Sequence, residues 1–385
     1  MRRQKRSKRP FILLLSLIIM IFGSLYLFKG FFKKDNGTND NIDNDNNNNN
    51  NIVENVKERS ITFTLAGNVL LNAEMWYDTA SDGQYNFEYV FEDINNIMKK
   101  SNVNFYTQQG ILGGKDLGLT SYTNFNTPYD TATELAKVGF NTISLASYHA
   151  NDRGVQGITN AINFLNENKI SYSGISLNEE DRLKNSIIEK NGIKVALLGY
   201  TTGLTIATNN TYSVSIYSEE QVKKDYDSIK DQADIIMVAI DYSNNRSLEV
   251  TEQEKTIANY LANLGVDIVI GNTGYSVQPI EKINNTLVFY SLGNMLSGHS
   301  LTDNKISAIV DFKYTIKEKG GNIEKNYDDI NVLLTYAYSL NGVNYKVVPF
   351  TKIQTELNDY KIYYEKYNKL LTENNKNVKL YPIGE

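Results

Sequence analysis

The chain has 385 residues, no cysteine, two histidines and 44 acidic against 39 basic side chains, with 41% hydrophobic and 11% aromatic residues. The length suits one large domain or two smaller ones, and the missing cysteines exclude disulfides, thiolate-bound zinc, iron–sulfur clusters, thiol catalysis and a lipidated cysteine anchor. Residues 1–34 hold nine bases and no acid, which leaves 30 bases against 44 acids and a net charge of −14 elsewhere; so acidic a body argues against nucleic acid as a partner.

Phe11 to Phe28 is an uncharged apolar run preceded by six bases. At about 1.5 Å per residue it nearly spans a bilayer core, and the bases before it predict a cytoplasmic N-terminus with everything after Lys34 outside. A secretory signal has a shorter core and ends in a small-residue cleavage site. This run instead continues into Tyr26-Leu27-Phe28-Lys29-Gly30-Phe31-Phe32, so an uncleaved single-pass anchor is expected, after a basic cytoplasmic tail over 1–10. Residues 29–57 are rich in Asn and Asp, too polar to offset their ordering entropy, and are expected to be a flexible tether.

The folded part is expected over 58–355, closed by a C-terminal helix and tail over 356–385. It opens with the β-rich run Ile61 to Asn68, followed by Phe87 to Met98, whose apolar residues recur at three and four as on one helix face. Strand-like runs recur at Val103–Thr107, Thr142–Ala146, Val195–Tyr200, Ile235–Ile240 and Val266–Ile270. Helical stretches at Thr131–Val138, Gly157–Asn166, Glu219–Asp231 and Glu252–Leu264 separate them, an alternation that reads as α/β. Asn191-Gly192 and Asn341-Gly342 signal hairpins, and the region from Ile306 onward reads as antiparallel strands. The architecture predicted is a two-sheet sandwich with helices outside.

Several polar runs fall where an apolar strand ends, the edge on which open α/β sheets build sites. They are Gly67-Asn68, Thr107-Gln108-Gln109, Ser147-Tyr148-His149 with Asp152, Asp241-Tyr242-Ser243, Gly271-Asn272-Thr273-Gly274-Tyr275 and Gly293-Asn294. No phosphate-binding Gly-x-x-x-x-Gly-Lys loop and no Gly-x-Ser-x-Gly nucleophile elbow occurs, so nucleotide-driven and serine-hydrolase readings lack a basis. Two histidines are also few for a binuclear transition-metal centre.

Gly139 to Gly154, Gly265 to Gly271, Gln278-Pro279 and Tyr290 to Asn294 resemble, in order and spacing, the CapA family of poly-γ-glutamate capsule synthesis. The resemblance covers about residues 60–350 and implies a calcineurin-type metallophosphoesterase-like extracellular domain behind a membrane anchor. The family site, as the resemblance implies, has Gly-Asp, Asn-x-Glu, Asn-Asn-His with a following Asp, His-Trp-Gly and Gly-His-His-Pro-His. Here Asn68 stands for the first Asp, Thr107 and Gln109 for the Asn and Glu, and Ser147-Tyr148-His149 for Asn-Asn-His. Asp241-Tyr242-Ser243 replaces His-Trp-Gly, and Asn272 to Tyr275 replaces His-His-Pro-His, so that His149 and Asp152 alone survive.

Two-metal phosphoryl transfer needs carboxylates and imidazoles to hold two cations about 3.5–4 Å apart, and neutral amides cannot cancel such charge. No cofactor is expected; a single hard cation such as Ca²⁺ or Mg²⁺, held by His149, Asp152 and Asp241, is the alternative the residues leave open. His149 reads equally as a hydrogen-bonded loop histidine, Asp152 as a helix cap, Asp241 as a solvated loop acid and Asn294 as a turn residue. Tyr106, Tyr148, Tyr242 and Tyr275 suggest aromatic platforms for a sugar or polyamide. The function expected is polymer binding by a membrane-anchored protein of capsule or cell-surface polymer biosynthesis, export or anchoring. Asn68, Gln109, Tyr148, His149, Asp152, Asp241, Asn272, Tyr275 and Asn294 are expected to form the cleft. An anionic or glycan polymer and membrane synthase or export subunits would be the partners. The alternative function is a metal-dependent phosphoesterase or related hydrolase with an atypical ligand set.

Overall fold

The computed structural model describes residues 56–98, 101–208, 210–243, 247–272 and 276–383, which belong to one compact unit. The anchor expected at 11–28, nearly all of the tether, and Tyr275 lie outside the described residues. Among those described, no helix is long and apolar enough to cross a membrane.

The chain runs through β1 (Lys57–Val69), α1 (Ala73–Thr79), β2 (Val103–Gln108), α2 (Tyr129–Val138), β3 (Thr142–Ser144), α3 (Gly154–Glu167) and β4 (Ser171–Ser173). A second series follows: β5 (Ile187–Lys190), β6 (Ile193–Thr201), α4 (Glu219–Ile229), β7 (Ile235–Asp241), α5 (Glu252–Leu264), β8 (Ile268–Asn272), β9 (Ile280–Ile283) and β10 (Thr286–Phe289). The chain then returns to the first sheet with β11 (Asn294–Leu296), β12 (Ile306–Lys319), β13 (Asn322–Tyr327), β14 (Ile330–Leu340), β15 (Val343–Pro349), α6 (Tyr360–Thr372) and β16 (Val378–Leu380).

Two large sheets result. The ten-stranded one has the order β15-β14-β12-β1-β2-β3-β4, with β11, β13 and β16 paired at its margins. The six-stranded one has the order β9-β10-β8-β7-β6-β5, parallel in its middle and closed at each rim by an antiparallel hairpin strand. Both Asn-Gly signals make the expected hairpins, with Asn191 and Asn341 at φ near 53°. The segment from Phe87 to Met98 is not one helix but three short turns, Glu88–Phe91, Glu92–Ile94 and Asn95–Met98. The tail beyond 355 is built into the fold: α6 buries Tyr367 and Leu371, and β16 pairs with β14.

Side chains of a strand alternate between its two faces, and that alternation builds four layers. Ile193, Val195 and Leu197 of β6 face the other sheet and join Ile61, Phe63, Leu65, Phe105, Met237 and Ile270 in the core between the sheets. Ala196, Leu198 and Tyr200 face outward and pack with Val222 of α4 and Ile257 and Leu261 of α5. On the far side of the first sheet, Tyr106, Ile143 and Ile309 pack with Leu135 of α2 and Ile158 and Leu165 of α3. The two-sheet sandwich with helices outside is the architecture expected, and it leaves the carboxyl ends of parallel strands from both sheets at a shared edge.

Candidate functional site

The inward column of each central strand is apolar until its carboxyl end and then turns polar. In β2 the series Val103, Phe105 reaches Thr107 and, just past the strand, Gln109; in β7, Ile235, Met237 and Ala239 lead to Asp241; in β8, Ile268 and Ile270 lead to Asn272. In β1 the register shifts between Leu65 and Asn68, which keeps Asn68 on the inward side after Ile61, Phe63 and Leu65. The shift is enforced by close backbone approach: a Cβ at Gly67 would lie 2.1 Å from the Gly293 carbonyl oxygen, and the Asn68 N–H donates to that oxygen at 2.9 Å. Glycine is the residue that tolerates this contact.

These polar ends tie the sheets together. The Gln109 side-chain amide donates to Asp241 Oδ2 of the other sheet and, at 3.3 Å, to Asn68 Oδ1. Asn68 Nδ2 donates to Asn294 Oδ1 at 3.1 Å, and Asn294 Nδ2 to the Asn304 carbonyl at 2.9 Å. Asp241 Oδ1 receives the Ser243 N–H at 2.8 Å and the Thr201 hydroxyl at 3.2 Å. Asn272 donates to the Thr107 hydroxyl across the sheets, and its Oδ1 has no partner among the described residues. A carboxylate only accepts, so Asp241 orients the Gln109 amide, which orients Asn68 and then Asn294.

Asn68, Gln109, Asp241 and Asn272 are 0, 5, 2 and 1% exposed. Asp241 is therefore not the solvated loop acid that its position suggested. Burial pushes its carboxyl up to about 6, against the opposing hydrogen bonds from Gln109, Ser243 and Thr201 and the nearby charge of His149.

A second cluster lies beside the first, on the loop after β3. His149 Nδ1 and Asp152 Oδ2 are 2.8 Å apart. Asp152 also receives the Phe125 N–H at 2.7 Å and the Thr205 hydroxyl. It thus anchors two loops, where helix capping was the expected alternative; Arg153 is the N-cap of α3, and no side chain caps it. Thr205 bonds the Tyr148 carbonyl through its N–H and hydroxyl, and the Phe125 ring lies 4.6 Å from the His149 ring, edge to face. The Ser147 hydroxyl donates to the Gln109 carbonyl at 2.7 Å and joins the two clusters. Tyr148 and His149 are partly exposed, whereas Asp152 is buried.

Among the aromatic platforms expected, Tyr106 and Tyr242 are excluded. Strand parity turns them outward, Tyr106 against Phe140 in the helix-covered core and Tyr242 into the cluster under α4 and α5. Asn294, placed in the cleft with a turn residue as the alternative, lies in β11 and belongs to the amide chain. Thr201 escaped notice although it ends an apolar strand as the others do; Thr205 sits in an irregular loop and leaves no such signal.

The donor set does not fit a binuclear centre. Among the described residues, no three of His, Cys, Asp and Glu stand close enough to share an ion. Asp241, the carboxylate of this amide network, is already bonded to Gln109, Thr201 and Ser243, and the other side chains of the network are amides and hydroxyls, which leave a pair of divalent charges uncompensated.

Residues 62–299 match the family described as bacterial capsule synthesis protein PGA_cap. Among curated proteins, the chain is 24% identical over 280 residues to the capsule biosynthesis protein CapA of Bacillus anthracis, an alignment covering 70% of this chain and 67% of that protein. It is 28% identical over 213 residues to the PGA biosynthesis protein CapA of Bacillus subtilis strain 168, covering 54% of this chain and 56% of that one. The matched region runs from β1 to just beyond β11 and so contains both polar clusters. The chain therefore belongs to the bacterial capsule synthesis protein family, as a CapA-type capsule biosynthesis protein.

Proposed function

We propose that this protein is anchored by residues 11–28, carries its folded domain outside the cell, and holds a nascent cell-surface polymer of the poly-γ-glutamate type without hydrolysing it. The observation that carries this reading is the direct bonding of Gln109 to Asp241 and of Asn272 to Thr107 across the sheets. Side chains at the edge where a phosphoesterase would hold cations are bonded to one another instead. That buried network is a rigid floor. The polymer would meet the partly exposed Tyr148 and His149 above it, beside Tyr122, 83% exposed, and Ile206, 40% exposed. These two sit on the loops that Asp152 and Asn151 tie down. Apolar and aromatic surface around a few polar groups suits a chain whose methylenes alternate with amides. By family membership, the partners would be membrane-embedded synthase or export subunits.

Metal analysis of the protein purified from medium containing Mn²⁺ and Zn²⁺, together with a phosphoester hydrolysis assay, tests the non-catalytic part. Two bound ions per chain, or hydrolysis abolished by Asp241→Ala, would reject it and establish the metal-dependent hydrolase in its place. The binding part is tested by Tyr148→Ala combined with His149→Ala in cells. Surface polymer should fall while the protein's abundance holds, and an unchanged polymer level would reject the contact surface.

A further inference from the structure

The helix layer does not cover the whole outer face of the ten-stranded sheet. Val310 and Phe312 of β12 point into the inter-sheet core, so Asp311 and Lys313 point outward. Registry places Thr64, Asp311, Asn331 and Lys379 in one transverse row across β1, β12, β14 and β16. One row along on the same face, Ile309 opposite Leu333 already belongs to the helix-covered cluster. Beyond that boundary the face is polar, Thr64 lying buried against Ser101, and a groove of about 690 Å³ opens over it, lined among others by Thr62, Ser101, Asp311, Asp328 and Asn331.

The chemistry of this groove selects its ligand. Its charges are largely compensated from within: Lys313 pairs with Asp328 at 3.0 Å, and Lys379 with Asp329. Asp311 is held by neutral donors, Asn331 Nδ2 at 3.1 Å and the Tyr381 hydroxyl at 3.0 Å. A polyanion meets three carboxylates here, and an apolar ligand would strip water from polar groups without replacing their hydrogen bonds. An amine finds here only Asp311 without a lysine, a single carboxylate already engaged by Asn331 and Tyr381, whereas Asp328 and Asp329 would have to give up their lysines. What remains is a ligand whose groups both donate and accept, as hydroxyls do, laid on a flat array of amide, hydroxyl and carboxylate side chains. Tyr381, 39% exposed at the margin, adds an aromatic face, and the volume lies within the range of small-ligand sites.

We infer that this groove binds an uncharged, hydroxyl-rich saccharide, independently of the polymer surface at His149. Isothermal titration calorimetry on the full chain in detergent would use three probes: tetra-N-acetylchitotetraose, spermine and poly-γ-glutamate. The neutral tetrasaccharide should bind, about tenfold more weakly in Asp311→Ala and in Asn331→Ala and unchanged in Glu220→Ala on the exposed face of α4. Thermal unfolding of each variant separates lost binding from lost folding, and Tyr381→Phe, which keeps the ring, should weaken binding less than Tyr381→Ala. Absence of tetrasaccharide binding up to about 10 mM, spermine binding in its place, or equal affinity in folded Asp311 and Asn331 variants would overturn the inference.

Discussion

Asp241→Asn separates a self-bonded network from a site built around a cation. The Asp241 carboxyl titrates at about 6 in the fold against an ordinary value of 3.8. The folded state holds this proton more tightly than the unfolded chain does, so the group imposes no penalty below pH 3.8. As pH rises from 3.8 through 6 the unfolded chain ionises first and the fold loses stability, by about 3 kcal/mol once both states are ionised. Replacing the carboxyl by an amide removes that penalty. Gln109 must then turn its amide to present an acceptor, which leaves Asn68 Oδ1 without its donor at a cost of about 1 kcal/mol. Urea unfolding followed by circular dichroism at pH 7.5 should therefore show the variant more stable by about 2 kcal/mol. This group's share of the pH dependence between about 4 and 6 should also vanish. A variant less stable at pH 7.5 than the parent would refute the reasoning, because the carboxylate would then be worth more than an amide, as it would be beside a bound cation.

The same fold supports further tests. Gly67→Ala places a methyl group 2.1 Å from the Gly293 oxygen and should destabilise by about 3 kcal/mol in urea; a neutral effect would mean that β11 can move away from β1. Phe63→Ala removes a fully buried ring stacked 5.2 Å from Phe312 between the sheets and should cost about 3–5 kcal/mol by the same measurement. Asp152→Ala deprives the Phe125 N–H of its acceptor, so hydrogen exchange at that amide should quicken by about tenfold or more; an unchanged rate would show that the loop before α2 is held by other contacts.

Much of the scaffold was legible in the chain order of residues. Periodicity located β1 to β3, β6 to β8 and the helices α2 to α5 to within a few residues, because a strand buried on both faces is a short apolar run and an amphipathic helix repeats every three to four; the short parallel strands β4, β10, β11 and β16 left no such signal. The Asn-Gly pairs marked their hairpins because both turn positions need positive φ. The break of Phe87–Met98 into three turns was not legible, since one apolar face is compatible with a single helix or with several.

The polar runs at strand ends, rich in Asn, Gln and Tyr, were visible too. What local pattern could not supply is which face each residue takes once strands from two sheets stand edge to edge. Tertiary packing turned Tyr106 and Tyr242 under helices, buried Asp241 against Gln109 from the opposite sheet, and gave Asp152 to Phe125 and Thr205 instead of to α3. Alternation and composition are local properties and survive in the one-dimensional order. Burial, and with it the value of a charge or a hydrogen bond, depends on which distant strand arrives opposite, and only the assembled sandwich decides that.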